Sequence, residues 1–281
     1  MAKSSRSQEV RLKAQQLRED QARADRRTRN IIIGLVALIL VVIIVAIAAV
    51  IVQSNHKKAQ SDQAATDAIG AYANGDPVVV SHLGIGKLDE SLPTLTEYFD
   101  YSCHVCAAYD VSFGEQMSQD VLAGKYNVKF QPVNTVKASY QYSATSAILV
   151  AAQKVDNKTW LKFHNGLLSY FNEQYNSGTG SVVQDQSKSA KKVKEIAAEA
   201  GVPQDVIDTF PENGVDAYLT QTTKAWAEAN YEGRQAGSLG TPEFIINDKA
   251  VLDFAKFNLT SIDQIYPTIT AQLEAAGAAA K

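Results

Sequence analysis

The longest apolar run in the chain lies near its start. From Ile31 to Val52 no side chain is charged or strongly polar; the run is Ile, Val, Leu, Ala and one Gly. At about 1.5 Å per residue it reaches roughly 33 Å as a helix, enough to cross a hydrocarbon core of about 30 Å. A transmembrane helix is therefore expected over 31–52. A cleaved signal peptide is the rival reading, because Ala46-Ile47-Ala48 resembles a small-residue cleavage site. The apolar run continues past that site to Val52, and residues 1–30 form a long polar leader. Both features favour a retained anchor. A soluble core helix would carry a polar face, and this run has none.

Beyond it the pattern changes. Residues 53–77 are polar and rich in Ala, Gln and Asp, and end in the turn Asn74-Gly75-Asp76-Pro77, so a linker or short helical stalk is expected. Val78-Val79-Val80 suits a first strand. Leu83-Gly84-Ile85-Gly86 reads as a turn that lacks the glycine spacing of a phosphate loop. Thr94 to Phe99, β-branched and aromatic, reads as the next strand. Val105, Tyr109, Phe113, Met117 and Val121 recur every fourth residue and predict a helix from Cys103 to Ala123, stopped by Gly124. Tyr126 to Val133 alternates as a strand.

Residues 138–233 hold no strand pattern. Helices are expected over 142–154, 159–171, 188–200 and 216–232, with a short one after Pro203 and a polar Gly/Ser loop over 172–186. A hairpin follows (Glu243 to Asn247, then Ala250 to Leu252), and Ser261 caps a last helix through Ala275. Strands and helices alternate, interrupted by a helical block. This predicts a small α/β sheet domain over 78–276 with a helical insertion at about 138–233 and a tail at 277–281.

Charge sets the expected topology. Residues 1–30 carry nine Lys/Arg against four acids. The positive-inside tendency places this basic arm in the cytoplasm and the large domain outside the cell membrane, as a single-pass protein touching lipid through 31–52. Residues 53–281 hold 18 basic and 26 acidic residues (27 − 9 and 30 − 4), a formal −8. Arg234 is the only arginine among them. Such a domain has no electrostatic footprint for nucleic acid.

The only two cysteines stand in Cys103-His104-Val105-Cys106 at the start of a predicted helix. Unpaired N–H groups and the macrodipole there favour a thiolate at Cys103. Cys106 lies about one turn on, deeper in the helix, placed to resolve a mixed disulfide. A purely structural disulfide is a poor use of this spacing. A four-residue ring gains roughly 2 kcal/mol, against roughly 3 for a fifteen-residue loop. A zinc site would need more ligands than His56, His82 and His164 offer at their scattered positions. No metal or cofactor is called for. His104 could turn its ring toward the nucleophile or stand exposed without contact. Glu97 could be a buried carboxylate that accepts a proton from Cys106 when it attacks, or a surface acid on an edge strand. Pro242 could start the last hairpin or form a cis bond that presents the Thr241 backbone.

The segment from Leu95 to Cys106, together with Gly240-Thr241-Pro242-Glu243-Phe244-Ile245-Ile246-Asn247, resembles the DsbA-like thiol–disulfide oxidoreductases of the thioredoxin superfamily. The resemblance covers roughly 78–276 and includes a helical insert between the two motifs. It implies a thioredoxin-like sheet, Thr241-Pro242 lying against Cys103 as a backbone for extended substrate, and Glu97 as the buried glutamate. It also implies reduced or unfolded secreted proteins as clients and a quinone-linked membrane partner for reoxidation. Here histidine comes first in the dipeptide between the cysteines, where the family's oxidases have proline first and histidine second. A reductase or isomerase on the same fold, and a non-catalytic peptide-binding or scaffold module, are the alternatives.

Overall fold

At the centre of the sheet lies β3 (Thr94–Phe99), whose six residues are all buried. A strand covered on both faces loses the simple in–out alternation of a surface strand. β4 (Asn127–Pro132) runs parallel to it, from Thr94 opposite Asn127 to Phe99 opposite Pro132. β1 (Val78–Ser81) pairs antiparallel with β4, and β5 (Glu243–Ile246) antiparallel with β3. Two short strands close the edges, β2 (Gly84–Ile85) and β6 (Ala250–Val251), giving the order β2-β1-β4-β3-β5-β6. Gly84-Ile85, expected as part of a turn, thus pairs with β1, with Val80 opposite Ile85.

This computed structural model describes residue 64 and residues 67–279 apart from 236 and 238. The expected arm (1–30) and transmembrane segment (31–52) lie outside the described residues. Among the described residues no helix is long and apolar enough to cross a membrane. The end of the expected linker is packed against the domain. Ile69 and Tyr72 are buried, and the Asn74 and Asp76 carbonyls accept hydrogen bonds from Gln221 and Tyr218. Its polar composition concealed these two apolar anchors.

After β3 the chain forms α1 (His104–Tyr109), a π-helical turn (Asp110–Gly114) and α2 (Glu115–Leu122). A strict four-residue spacing outruns the 3.6-residue turn of an α-helix. The wider π turn absorbs that drift, and Phe113, Met117 and Val121 stay in the core.

The insertion comprises α3 (Ser139–Ala151), α4 (Asn157–Ser177), α5 (Gln186–Ala200), α6 (Gln204–Ile207) and α7 (Asp216–Glu228). The Asp156 and Asp185 side chains cap α4 and α5 by accepting the Thr159 and Lys188 N–H groups. α4 runs six residues past the expected end at Phe171. Glu and Gln in Asn172-Glu173-Gln174 are good helix formers, and the stop comes at Gly178, with φ +66°. Trp160 ties α4 to α3 by donating its indole N–H to the Ile148 carbonyl at 3.0 Å. The last helix, α8 (Ile265–Ala279), follows a 3₁₀ turn that Ser261 and Gln264 close with a capping box.

Candidate active site

The turn from β3 into α1 is shaped by Asp100. Its buried carboxylate accepts the Ser102 N–H at 2.8 Å on one oxygen, and the N–H groups of Thr135 and Val136 at 2.7 and 2.9 Å on the other. One side chain thereby fastens the cysteine loop to the segment after β4. Burial pushes its pKa up, and the N–H donors pull against that. Tyr101 points inward: its N–H reaches Gln141 Oε1 at 2.6 Å, and its hydroxyl meets His164 Nδ1 at 2.8 Å.

Cys103 is the N-cap of α1, with extended backbone, and its Sγ accepts the Cys106 N–H at 3.5 Å. Both cysteines are free thiols, Cys103 7% and Cys106 1% exposed. The Cys103 thiol is lowered to about 6. Its hydrogen bond with the Cys106 thiol is the largest cause, opposed by burial and aided by Thr241 and the N–H groups of Cys106 and Val105. Burial drives the Cys106 thiol the opposite way, well above its ordinary value. One sulfur is thus held ionised near neutrality, and its neighbour is held protonated in the core.

Opposite them, the Thr241–Pro242 peptide bond is cis. The Thr241 carbonyl lies 3.2 Å from Cys103 Sγ and accepts its proton in the thiol form. The Thr241 and Thr135 hydroxyls are 3.1 Å apart, so the Asp100-pinned segment also contacts this loop. Glu243, the next residue but one, is held by Arg234 in a nearly fully buried ion pair and by the Trp226 indole N–H at 2.7 Å.

Glu97 lies in the middle of β3, opposite Phe130 and Phe244, and is 6% exposed. Burial raises its carboxyl to about 8. Asp110 joins it, pushed well above the usual carboxylate range first by burial and then by Glu97 itself. The Asp110 carboxyl lies against Gly114: a Cβ there would stand 2.3 Å from its Oδ1, so a larger residue at 114 would force the carboxyl to shift. Glu97, Asp110 and His164 line a cavity of about 10 Å³, room for about one water molecule. Burial keeps His164 neutral, its pKa down at about 3. His104 is exposed, and its ring lies parallel to that of Tyr175, with centroids 4.7 Å apart.

Of the residues singled out in the sequence, Cys103, Cys106, Thr241 and Pro242 therefore meet at one point, and Glu97 lies buried in the adjoining strand. His104 faces the insertion. Asp100, Asp110, Thr135, His164, Tyr175 and Arg234 went unnoticed as site residues. A local signal existed for two of them: Asp100 precedes the cysteine loop, and Asp110 follows Cys106 by one helical turn. Among the described residues no cluster of His, Cys, Asp and Glu is arranged to hold a metal.

A family model described as Thioredoxin matches residues 81–261, well over half of the chain. The chain belongs to the thioredoxin family. No curated protein matches it. Among solved structures it is similar to MdbA, a thiol-disulfide oxidoreductase from Actinomyces oris, at 17% identity and a TM-score of 0.54, covering 71% of this chain and 89% of that one. MdbA from Corynebacterium diphtheriae matches at 17% identity and TM-score 0.48, covering 69% and 98% of the two chains. BdbD from Bacillus subtilis matches at 17% and 0.47, covering 71% and 94%. At these identities the Actinomyces structure speaks for the fold. In this thioredoxin-family chain, the sheet and the Cys-X-X-Cys helix start together place the cysteines against the cis-proline loop.

The ionisation of Glu97 has a thermodynamic cost. Its carboxyl titrates near 4.5 when unfolded and near 8 when folded. Between those values the folded state holds the extra proton, so stability falls as pH rises. Glu97→Gln removes that slope. The variant is expected to gain on the order of 4 kcal/mol over the wild type between pH 4.5 and 8. Urea unfolding at both pH values measures this; parallel pH dependences would contradict it.

Proposed function

We propose that this protein is an extracytoplasmic, membrane-anchored thiol–disulfide oxidoreductase that introduces disulfides into reduced secreted or cell-envelope proteins. The observation that carries the reading is the opposed ionisation of the two sulfurs, Cys103 lowered to about 6 and Cys106 raised, beside the Thr241 carbonyl.

In the oxidised enzyme a client thiolate attacks Cys103 Sγ. The Cys103–Cys106 bond breaks, and Cys106 leaves as a thiolate that takes a proton. A second client thiolate then attacks the client sulfur of the mixed disulfide, and Cys103 leaves as a stable thiolate. The client dithiol loses two electrons and becomes a disulfide; the enzyme gains both. Glu97, titrating near 8, is suited to supply the Cys106 proton in this direction and to accept it when the disulfide reforms. Thr241 offers backbone to an extended client. Reoxidation needs an external acceptor, and a quinone-linked membrane partner reached from an anchor at 31–52 meets that need. The apolar run, the charge bias of residues 1–30 and the acidic outer domain support this placement.

Transfer to a reduced, unfolded test protein is the direct assay: the oxidised full chain should pass on one disulfide per molecule. Its equilibrium with glutathione gives the direction. A potential near the roughly −120 mV of strong oxidants fits an oxidase, and one near the roughly −270 mV of thioredoxin fits a reductase.

A further inference from the structure

A column of rings joins the cysteine motif to the helical insertion. The His104 imidazole stacks on Tyr175 with 11° between the planes. Tyr175 belongs to the last turn of α4, just before Gly178 ends the helix. Behind it Phe171 stacks at 6.4 Å, and behind Phe171 lies Tyr140 at 6.0 Å. Tyr140 is fully buried and donates its hydroxyl to the Leu167 carbonyl at 2.8 Å. The inner end of the column is therefore fixed in the core of the insertion. Its outer end is the residue directly after the nucleophile. Yet the polar groups that act on Cys103 Sγ come from Thr241, Cys106 and the Val105 N–H, and the His104 ring is not among them.

We propose that Tyr175 is a positioning residue for the redox pair: it parks the His104 ring on the insertion, away from the Cys103 sulfur, and so limits how oxidising the disulfide is. This rests on the thiol–disulfide reading above. The physical basis is simple. A cationic imidazole beside a thiolate stabilises it, and stabilising the reduced form makes the disulfide a stronger oxidant. A ring held face to face with Tyr175 spends its time elsewhere. Tyr175 itself is 55% exposed, so its removal leaves the buried part of the column in place.

The test is the equilibrium of the full-length chain with glutathione, in which reduced protein plus glutathione disulfide gives oxidised protein plus two glutathione. Tyr175→Ala and Tyr175→Leu both remove the stacking face. Each is expected to move the equilibrium roughly two- to tenfold toward reduced protein, the range an aromatic pair supplies. Tyr175→Phe keeps the face and should match the wild type. In a His104→Ala background, Tyr175→Ala should add no further shift. No shift in Tyr175→Ala, a shift toward oxidised protein, or a shift that survives without His104 would overturn the proposal while wild-type exchange leaves the redox reading standing. A wild type that does not exchange with glutathione at all would overturn both.

Discussion

Replacing Cys103 by serine should lower disulfide transfer to a reduced client by at least about a thousandfold, as expected when the group that forms the covalent intermediate is removed. Replacing Cys106 should have a different effect. The reduced Cys106→Ser protein keeps its ionised Cys103, which can attack a disulfide-bonded client once. With no resolving thiol the exchange then stops, and the client stays linked to Cys103. Non-reducing electrophoresis separates the two variants: trapped adducts with Cys106→Ser, none with Cys103→Ser. Turnover by Cys103→Ser at the wild-type rate would mean that the chemistry lies elsewhere.

The second large effect concerns the loop that faces the nucleophile. Arg234 donates to both Glu243 oxygens and to the carbonyls of Trp226 and Ala229. Removing one partner of a buried ion pair leaves the other charge uncompensated, which typically costs about 3–5 kcal/mol. Arg234→Ala should therefore lower the unfolding free energy by about 3 kcal/mol or more in urea titration. Glu243→Gln should cost less, because the amide still fills the space and keeps a carbonyl for the Trp226 indole. A loss below about 1 kcal/mol in Arg234→Ala would show that the pair is not holding this segment. Since Glu243 follows Pro242, the same variant should also weaken client transfer.

The periodic parts of the fold were legible in the sequence. β3 over Thr94–Phe99 and the hairpin at Glu243 were marked by apolar runs bounded by turns, and the helical insertion by the lack of strand patterns. Two stretches carry more structure than their composition suggested. The polar stretch after Phe171 stays helical to Ser177, and the stretch before Asp76 anchors itself through Ile69 and Tyr72. The cysteine pair was marked by its spacing, and Glu97 and Thr241-Pro242 by the resemblance to the DsbA-like family. Their supports were not marked. Asp100 acts on Thr135 and Val136, 35 and 36 residues away, and His164 reaches Tyr101 from 63 residues away. The first contacts exist only once β3 and β4 have paired, and the second only once the insertion has folded against the sheet. The stack of His104 on Tyr175 is the sharpest case, because Tyr175 lay in a segment expected to be loop.

The most direct test of the central claim is the pH dependence of alkylation at Cys103 in the reduced full-length chain, followed by mass spectrometry with iodoacetamide. The account predicts a midpoint near the value of about 6 set by its neighbours, with Cys106 unmodified over the same range. A midpoint at the roughly 8.5 of a free cysteine, or faster modification of Cys106, would contradict it.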